Sequence, residues 1–436
     1  MADAQALRRQ ILDLVGEYWR VAHGERRFDP AKPSVPVSGR VYGPEEMQAL
    51  TDSALDFWLT TGRFNDAFET RLAAILGIKH VLTVNSGSSA NLVALSALTS
   101  PLLKDKALKP GDEIVTCATG FPTTLAPALQ YGLMPVFLDV DIPTYNMDVG
   151  RLDEAIGPRT RAIMLAHTLG NPFDLDAVMA VAKKHDLWVI EDCCDALGAT
   201  YDGKPVGRFG DIGTLSFYPA HHITMGEGGA VFTDRPILRR AMESMRDWGR
   251  DCYCQPGKDD TCKRRYEWQL GELPTGYDHK YVYSHAGYNL KITDMQAAVG
   301  LSQLDRLDGF IAARRRNFAL LKQGLARFED VFVLPEATAK SDPSWFGFPL
   351  SLRPEAGINR EDLLIHLNAH HIGTRLVFAG NLIRQPFMLG RDYRAVGELT
   401  NSDRVMRDTF WLGVYPAIND DAIAYVVETV AGFLGR

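Results

Sequence analysis

Apolar residues near the start of the chain fall at helical spacing. Leu7, Ile11, Leu12, Leu14, Val15 and Trp19 predict an amphipathic helix over residues 5–22. A Pro-containing linker, 30–36, follows, and 44–61 reads as a second helix. Both are expected to pack on the body of the protein or on a second copy. From about residue 62 short apolar runs alternate with helical stretches. The runs 81–84, 113–116, 135–140, 162–166, 188–191 and 214–217 predict strands, with helices such as 88–98 and 175–185 between them. The expected fold is α/β, an open and mostly parallel sheet covered by helices. Ligands in such sheets sit at the carboxyl ends of strands. Helical periodicity returns over 292–325. From 331 onward, with 345–352, 360–368 and 420–434, the chain reads as a smaller α+β unit. The expected division is an N-terminal helix and linker over 1–40, a large domain over 41–300 and a small C-terminal domain over 301–436.

Composition narrows the class. The chain has 436 residues, 46% of them hydrophobic, enough for a large core. A net charge of −7 argues against a general nucleic-acid binder. No apolar run reaches transmembrane length, and the first residues carry charges rather than an apolar signal core. A cytoplasmic enzyme is the expectation. Six cysteines are too few for a disulfide framework in so long a chain. Three of them fall in a polar, loop-like stretch at about 250–280, which reads as an insertion with chemistry of its own.

Two motifs suggest a phosphate and a basic ring. Asn85-Ser-Gly-Ser-Ser-Ala-Asn91 follows a strand and opens a helix. Gly87 permits a tight turn, and the helix-start N–H groups with the Ser88 hydroxyl suit a phosphate. Glu191-Asp192 ends another strand. Each of these alone has a bland reading, as a plain turn and as a surface carboxylate.

The central stretch is Ser216-Phe-Tyr-Pro-Ala-His-His-Ile-Thr-Met-Gly-Glu-Gly-Gly229. It resembles the cofactor-anchoring loop of the sugar aminotransferases that use pyridoxal phosphate (PLP), where a Lys holds PLP as a Schiff base. His221 stands at that Lys position. An imidazole cannot form the imine but can move protons near neutral pH. The resemblance covers about residues 40 to 436 and implies the aspartate-aminotransferase-like, fold-type I architecture. It also implies roles for several residues. Asp192 would pair with the pyridine nitrogen, Phe121 would stack on the ring, and Gly87, Ser88 and Ser216 would hold the phosphate. Asn289 would reach the phosphate of a neighbouring subunit, so a homodimer is expected.

Departures from the aminotransferase pattern point to its sugar 3-dehydrase branch, which uses pyridoxamine phosphate (PMP). Besides His221, these are Asp195, Tyr218 and Phe346. Asp195 and Tyr218 are expected to shape the sugar pocket, and Arg375 could contact a diphosphate. Phe346 has ordinary core packing as its alternative. Cys194, Cys252, Cys254 and Cys262 are separated by 57, 1 and 7 residues. This matches the pattern of the dehydrases that carry a 2Fe–2S cluster, and zinc is the alternative metal for four thiolates. The implied reaction is loss of the C3 hydroxyl from a nucleotide-linked 4-keto-6-deoxyhexose, with His221 as acid/base. The chain has no convincing dinucleotide fingerprint, so the electrons should come from a separate NAD(P)H-dependent flavin/iron–sulfur reductase. The expected substrate is CDP-4-keto-6-deoxy-D-glucose. A TDP-linked deoxysugar, an iron-free dehydrase and a non-catalytic relative are the alternatives.

Overall fold

The computed structural model describes residues 3–24, 28–254 and 256–436; Gln255, inside the insertion, lies outside them. The main sheet has eight strands. In spatial order they are His80–Val84, Gly229–Thr233, Ile212–Ser216, Trp188–Asp192, Thr160–Ala166, Glu113–Cys117, Met134–Leu138 and Arg394–Ala395. Only Gly229–Thr233 runs against the others. Alternate side chains of each strand enter two different cores. Ile163 and Val189 pack on one face, and Met164 and Ile190 on the other. Burial on both faces explains why these strands read as unbroken apolar runs. This is the fold-type I architecture.

Each strand predicted in the main sheet is present, with ends shifted by at most two residues. The strand Gly229–Thr233 was not predicted. Its apolar run, Ala230-Val-Phe232, is only three residues long and follows directly on the anchor motif. The second predicted helix is Pro44–Asp56, ended by Phe57 in the left-handed conformation (φ 50°). The stretch 292–325 is two helices, Asp294–Leu304 and Leu307–Leu325.

A second sheet joins Phe332–Val333, Gly347–Leu352, Thr409–Gly413 and Thr374–Arg375. Helices Leu307–Leu325, Arg360–Ala369 and Asp420–Leu434 share its core. The linker returns to this sheet, because Val35 bridges to Ile372 and lies in the same core. The insertion leaves the body at two isolated bridges, Arg250 with Tyr283 and Asp247 with Asn289. Among the described residues no helix is long and apolar enough to cross a membrane.

Candidate active site

The carboxyl ends of the central strands open on a cleft of about 990 Å³. Gly87, Ser88, Phe121, Asp192, Ser216 and His221 all line it. Cys194, Asp195, Tyr218, Phe346 and Arg375 lie on the same walls. Asn289 does not; its side chain accepts a bond from Lys291 Nζ at 3.0 Å, at the base of the insertion. No lysine is among the described residues that line the cleft.

The floor is a cradle at the start of helix Gly87–Ala97. Ser86 caps the helix by accepting from Ser89 N at 3.0 Å, so the amides of Gly87 and Ser88 border the cleft as anion donors. A Cβ on Gly87 would lie 2.4 Å from Ser216 Cβ and 3.1 Å from Cys194 Sγ. The backbone can approach this strand end only without a side chain there. The cradle fits a phosphate group.

Asp192 is buried at the end of its strand and firmly held. Its Oδ2 accepts from Asn91 Nδ2 at 2.7 Å and from Thr124 Oγ1 at 2.8 Å. The Cys194 amide donates to Oδ1 at 3.1 Å. Asn91 is itself fixed, since Thr214 Oγ1 donates to its Oδ1 at 2.7 Å. A carboxylate so placed fits a protonated ring nitrogen. Asn91 and Thr124 were not anticipated as its partners. Asn91 closes the phosphate motif and Thr124 directly follows the Phe121 motif, but sequence order does not show that both turn toward one strand end. Phe121 is half exposed on the wall and meets Phe378 edge to face at 6.1 Å.

His221 faces Asp195, with Nδ1 3.5 Å from Oδ1, too far for a good hydrogen bond. Burial and the Asp192 charge push the Asp195 carboxyl up to about 8. Burial and the nearby Arg314 guanidinium push the His221 imidazole down to about 4. Both groups are therefore neutral near pH 7, His221 able to accept a proton and Asp195 to give one. Phe346 packs on the His221 ring with centroids 5.1 Å apart.

Arg314 had no signal in the sequence. It sits in the run Arg314-Arg315-Arg316 yet is 1% exposed. Its Nη2 donates to the carbonyls of Ala220 and His221, and Nη1 to those of Trp345 and Phe346, all within 3.4 Å. One guanidinium thus clasps the His221 loop to the Phe346 segment. Tyr218 and Arg375 are exposed on the cleft wall, and Arg375 donates to its neighbour's carbonyl, Thr374 O, at 2.8 Å.

The cysteine set is divided. Cys194 lies in the cleft, where burial and the charge of Asp192 push its thiol well up. Cys252, Cys254 and Cys262 line a separate small cavity in the insertion, and Cys194 is not among its walls. Another buried group, His167, Glu191 and Cys193, has metal-ligand character. It is already satisfied: Glu191 accepts from the amides of Gly207, Phe209 and Gly210 and lies 3.2 Å from His167 Nε2.

Strand-end carboxylate, helix-start cradle and open sheet together define a PLP-enzyme fold of type I. The chain belongs to the DegT/DnrJ/EryC1/StrS aminotransferase family, which matches residues 41–431. It is 59% identical over 432 residues to the lipopolysaccharide biosynthesis protein RfbH of Salmonella typhimurium, with 99% of both chains covered. It is 51% identical over 427 residues to the dTDP-4-dehydro-2,6-dideoxy-D-glucose 3-dehydratase of Saccharopolyspora spinosa, covering 98% of this chain and 92% of that one. The structure superposes on E. coli GDP-4-keto-6-deoxy-D-mannose-3-dehydratase with bound hydrated PLP. The TM-score is 0.81 at 28% identity, over 93% of this chain and all of the other.

The cradle makes a direct prediction. Gly87→Ala should weaken PLP binding by at least about tenfold, roughly 1.4 kcal/mol, because the methyl fills the space against Ser216. Titration with PLP by absorbance, alongside unchanged far-ultraviolet circular dichroism, checks this. Native affinity in the variant would place the phosphate elsewhere.

Proposed function

We propose that this protein is a PMP-dependent 3-dehydrase acting on a nucleotide-linked 4-keto-6-deoxyhexose, with a separate reductase completing C3 deoxygenation. The observation that carries the reading is His221 at the anchor position, in a cleft whose described lining residues include no lysine. Bound PMP supplies an amine for the sugar ketone and a ring that withdraws electrons. Gly87, Ser88 and Ser216 hold the phosphate, Phe121 covers the ring, and Asp192 keeps its nitrogen protonated. His221, neutral in the cleft, removes the proton at C4′ of the cofactor. The departing C3 oxygen needs a proton, and Asp195, 3.5 Å from His221, is placed to provide or relay it. Tyr218, Phe346 and Arg375 border the space left for the sugar and diphosphate.

The insertion supports an iron-containing type. Three thiols at the spacing of the 2Fe–2S dehydrases converge there, and a cluster would pass electrons singly from a flavin/iron–sulfur reductase. That spacing gives Cys194 the fourth position. The relatives named GDP-4-keto-6-deoxy-D-mannose 3-dehydratase are only 31% and 30% identical, so similarity favours the other branch over the iron-free alternative. For the nucleotide, the resemblance favours CDP, whereas the 51% identical relative is named for a dTDP sugar. Turnover of a CDP-, TDP- and GDP-linked panel decides. A working homodimer would bring Asn289 to a neighbouring cleft.

His221 gives the first test. PLP should bind reversibly, and borohydride should fix none of it to a lysine. His221→Asn should retain cofactor but slow C4′ proton exchange by about 10² to 10⁴. Exchange at the native rate would remove His221 as the base.

The pH dependence follows from the two shifts. The base works unprotonated, so activity is present above about 4 and lost as pH falls through it. The acid works protonated, so activity is present below about 8 and lost as pH rises through it. kcat/KM for C3 oxygen release should be bell-shaped with limbs near those values. An acid limb near 6.5 would contradict a desolvated His221.

The insertion gives the last test. Cys252→Ser should still exchange C3 oxygen with labelled water, since that half needs only PMP and acid/base groups. It should make no 3-deoxy product with reductase and NADH. Native yield from this variant would exclude a redox role for the loop.

A further inference from the structure

Helix Ala4–Ala22 has two apolar faces, and the chain itself covers only one. The helix lies wholly before residue 41, where the family match begins. Its covered face packs on helix Pro44–Asp56. Gly16 is buried there, and a Cβ on it would lie 2.9 Å from Gln48 Nε2. Gln48 Nε2 donates to Leu12 O at 2.8 Å, and Arg8 Nη2 donates to Asp56 Oδ1 at 2.8 Å. The second face has no cover among the described residues. Leu7, Ile11, Leu14, Tyr18 and Val21 are 46%, 38%, 63%, 59% and 91% exposed. They fall within about 40° of one line along the helix, roughly 140° round from Arg8, Leu12 and Gly16. Their spacing of 4, 3, 4 and 3 residues is that of a coiled-coil seam. Scattered exposed apolar residues need no explanation, but a continuous stripe does.

A second copy of this chain fits the stripe better than a membrane surface does. Interfacial helices back their apolar face with Lys and Arg. Here the polar face is mixed, with Arg9 and Arg20 beside Asp13 and Glu17. Two such stripes complement each other when antiparallel. Leu7 then meets the partner's Tyr18 and Ile11 the partner's Leu14, and helix ends of opposite partial charge adjoin. On the flank away from helix Pro44–Asp56, Gln10 comes beside the partner's Glu17, an amide donor against a carboxylate. From residue 7 to residue 21 the stripe runs about 21 Å. A stable interface buries about 800 Å² per partner, more than one helix face supplies. Leu55, Phe57 and Leu59, exposed beside the end where Arg8 meets Asp56, add to the apolar surface.

We propose that helix Ala4–Ala22 docks on the same helix of a second copy of this chain, antiparallel, through Leu7, Ile11, Leu14, Tyr18 and Val21. This contact is separate from any that brings Asn289 to a neighbouring cleft, and it does not depend on the chemistry of the cleft.

Sedimentation of the full chain over a range of concentrations tests it. Ile11→Glu combined with Leu14→Glu should lower the assembled mass, or raise the concentration of half-dissociation at least about tenfold, because two apolar side chains at the centre become charges. Arg9→Ala, on the polar face, should change neither. Both variants should keep the native far-ultraviolet circular dichroism. A benzophenone side chain placed at Tyr18, in a mixture of isotope-labelled and unlabelled chains, should cross-link to the peptide of the other chain that carries Leu7. A native chain that stays monomeric, a double variant that assembles as the native chain does, or cross-links formed only within one chain would each overturn the proposal. Native monomers that bind anionic phospholipid vesicles, with the double variant released from them, would assign the stripe to a membrane surface instead.

Discussion

The site depends on two adjacent carboxylates buried at one strand end. Neighbouring residues on a strand point to opposite faces. Glu191 points one way, accepting three backbone amides from 207–210 and facing His167. Asp192 points the other way, held by Asn91 and Thr124. A buried carboxylate without such partners costs several kcal/mol. With them, Glu191 fixes the loop behind the strand and Asp192 presents a rigid negative charge to the cleft. Asn91 also ties Asp192 to Thr214 on the next strand. The helix-start cradle and the cleft-facing carboxylate are therefore positioned by one network.

That fixed charge sets the proton chemistry beside it. Asp192 raises Asp195, and Arg314 lowers His221, each adding to the larger effect of burial. Two groups 3.5 Å apart thus differ in opposite directions from their ordinary values. Arg314 could have formed an ion pair with Asp195. Instead its bonds go to four carbonyls, which stabilises loop geometry while leaving Asp195 able to carry a proton. Burial even lowers the guanidinium, to about 10, and it stays charged at neutral pH.

Much of this was legible in the sequence, and for physical reasons. Strands buried on both faces leave apolar runs, and phosphate sites need Gly and Ser at a helix start. His221, Asp192, Gly87 and Phe121 stood in contiguous motifs and all line the cleft. What could not be read were contacts between distant segments. Arg314 looks like one of three surface arginines until the helix is folded against residues 345–346. The cysteine spacing counts chain positions and carries no direction. Cys194 follows the strand into the cleft, while the other three sit in a loop held by its own contacts.

The neck of the insertion links these two sites. Asn289 bridges to Asp247, and Tyr283 to Arg250, so the loop carrying the thiols grows from the same base as Asn289. Asn289 is not among the residues lining the cleft and accepts from Lys291, whose Nζ lies 3.5 Å over the Trp248 ring. A dimer that placed Asn289 against a neighbouring phosphate would carry the whole insertion toward that neighbour. Any group held by its three thiols would then be positioned by both protomers.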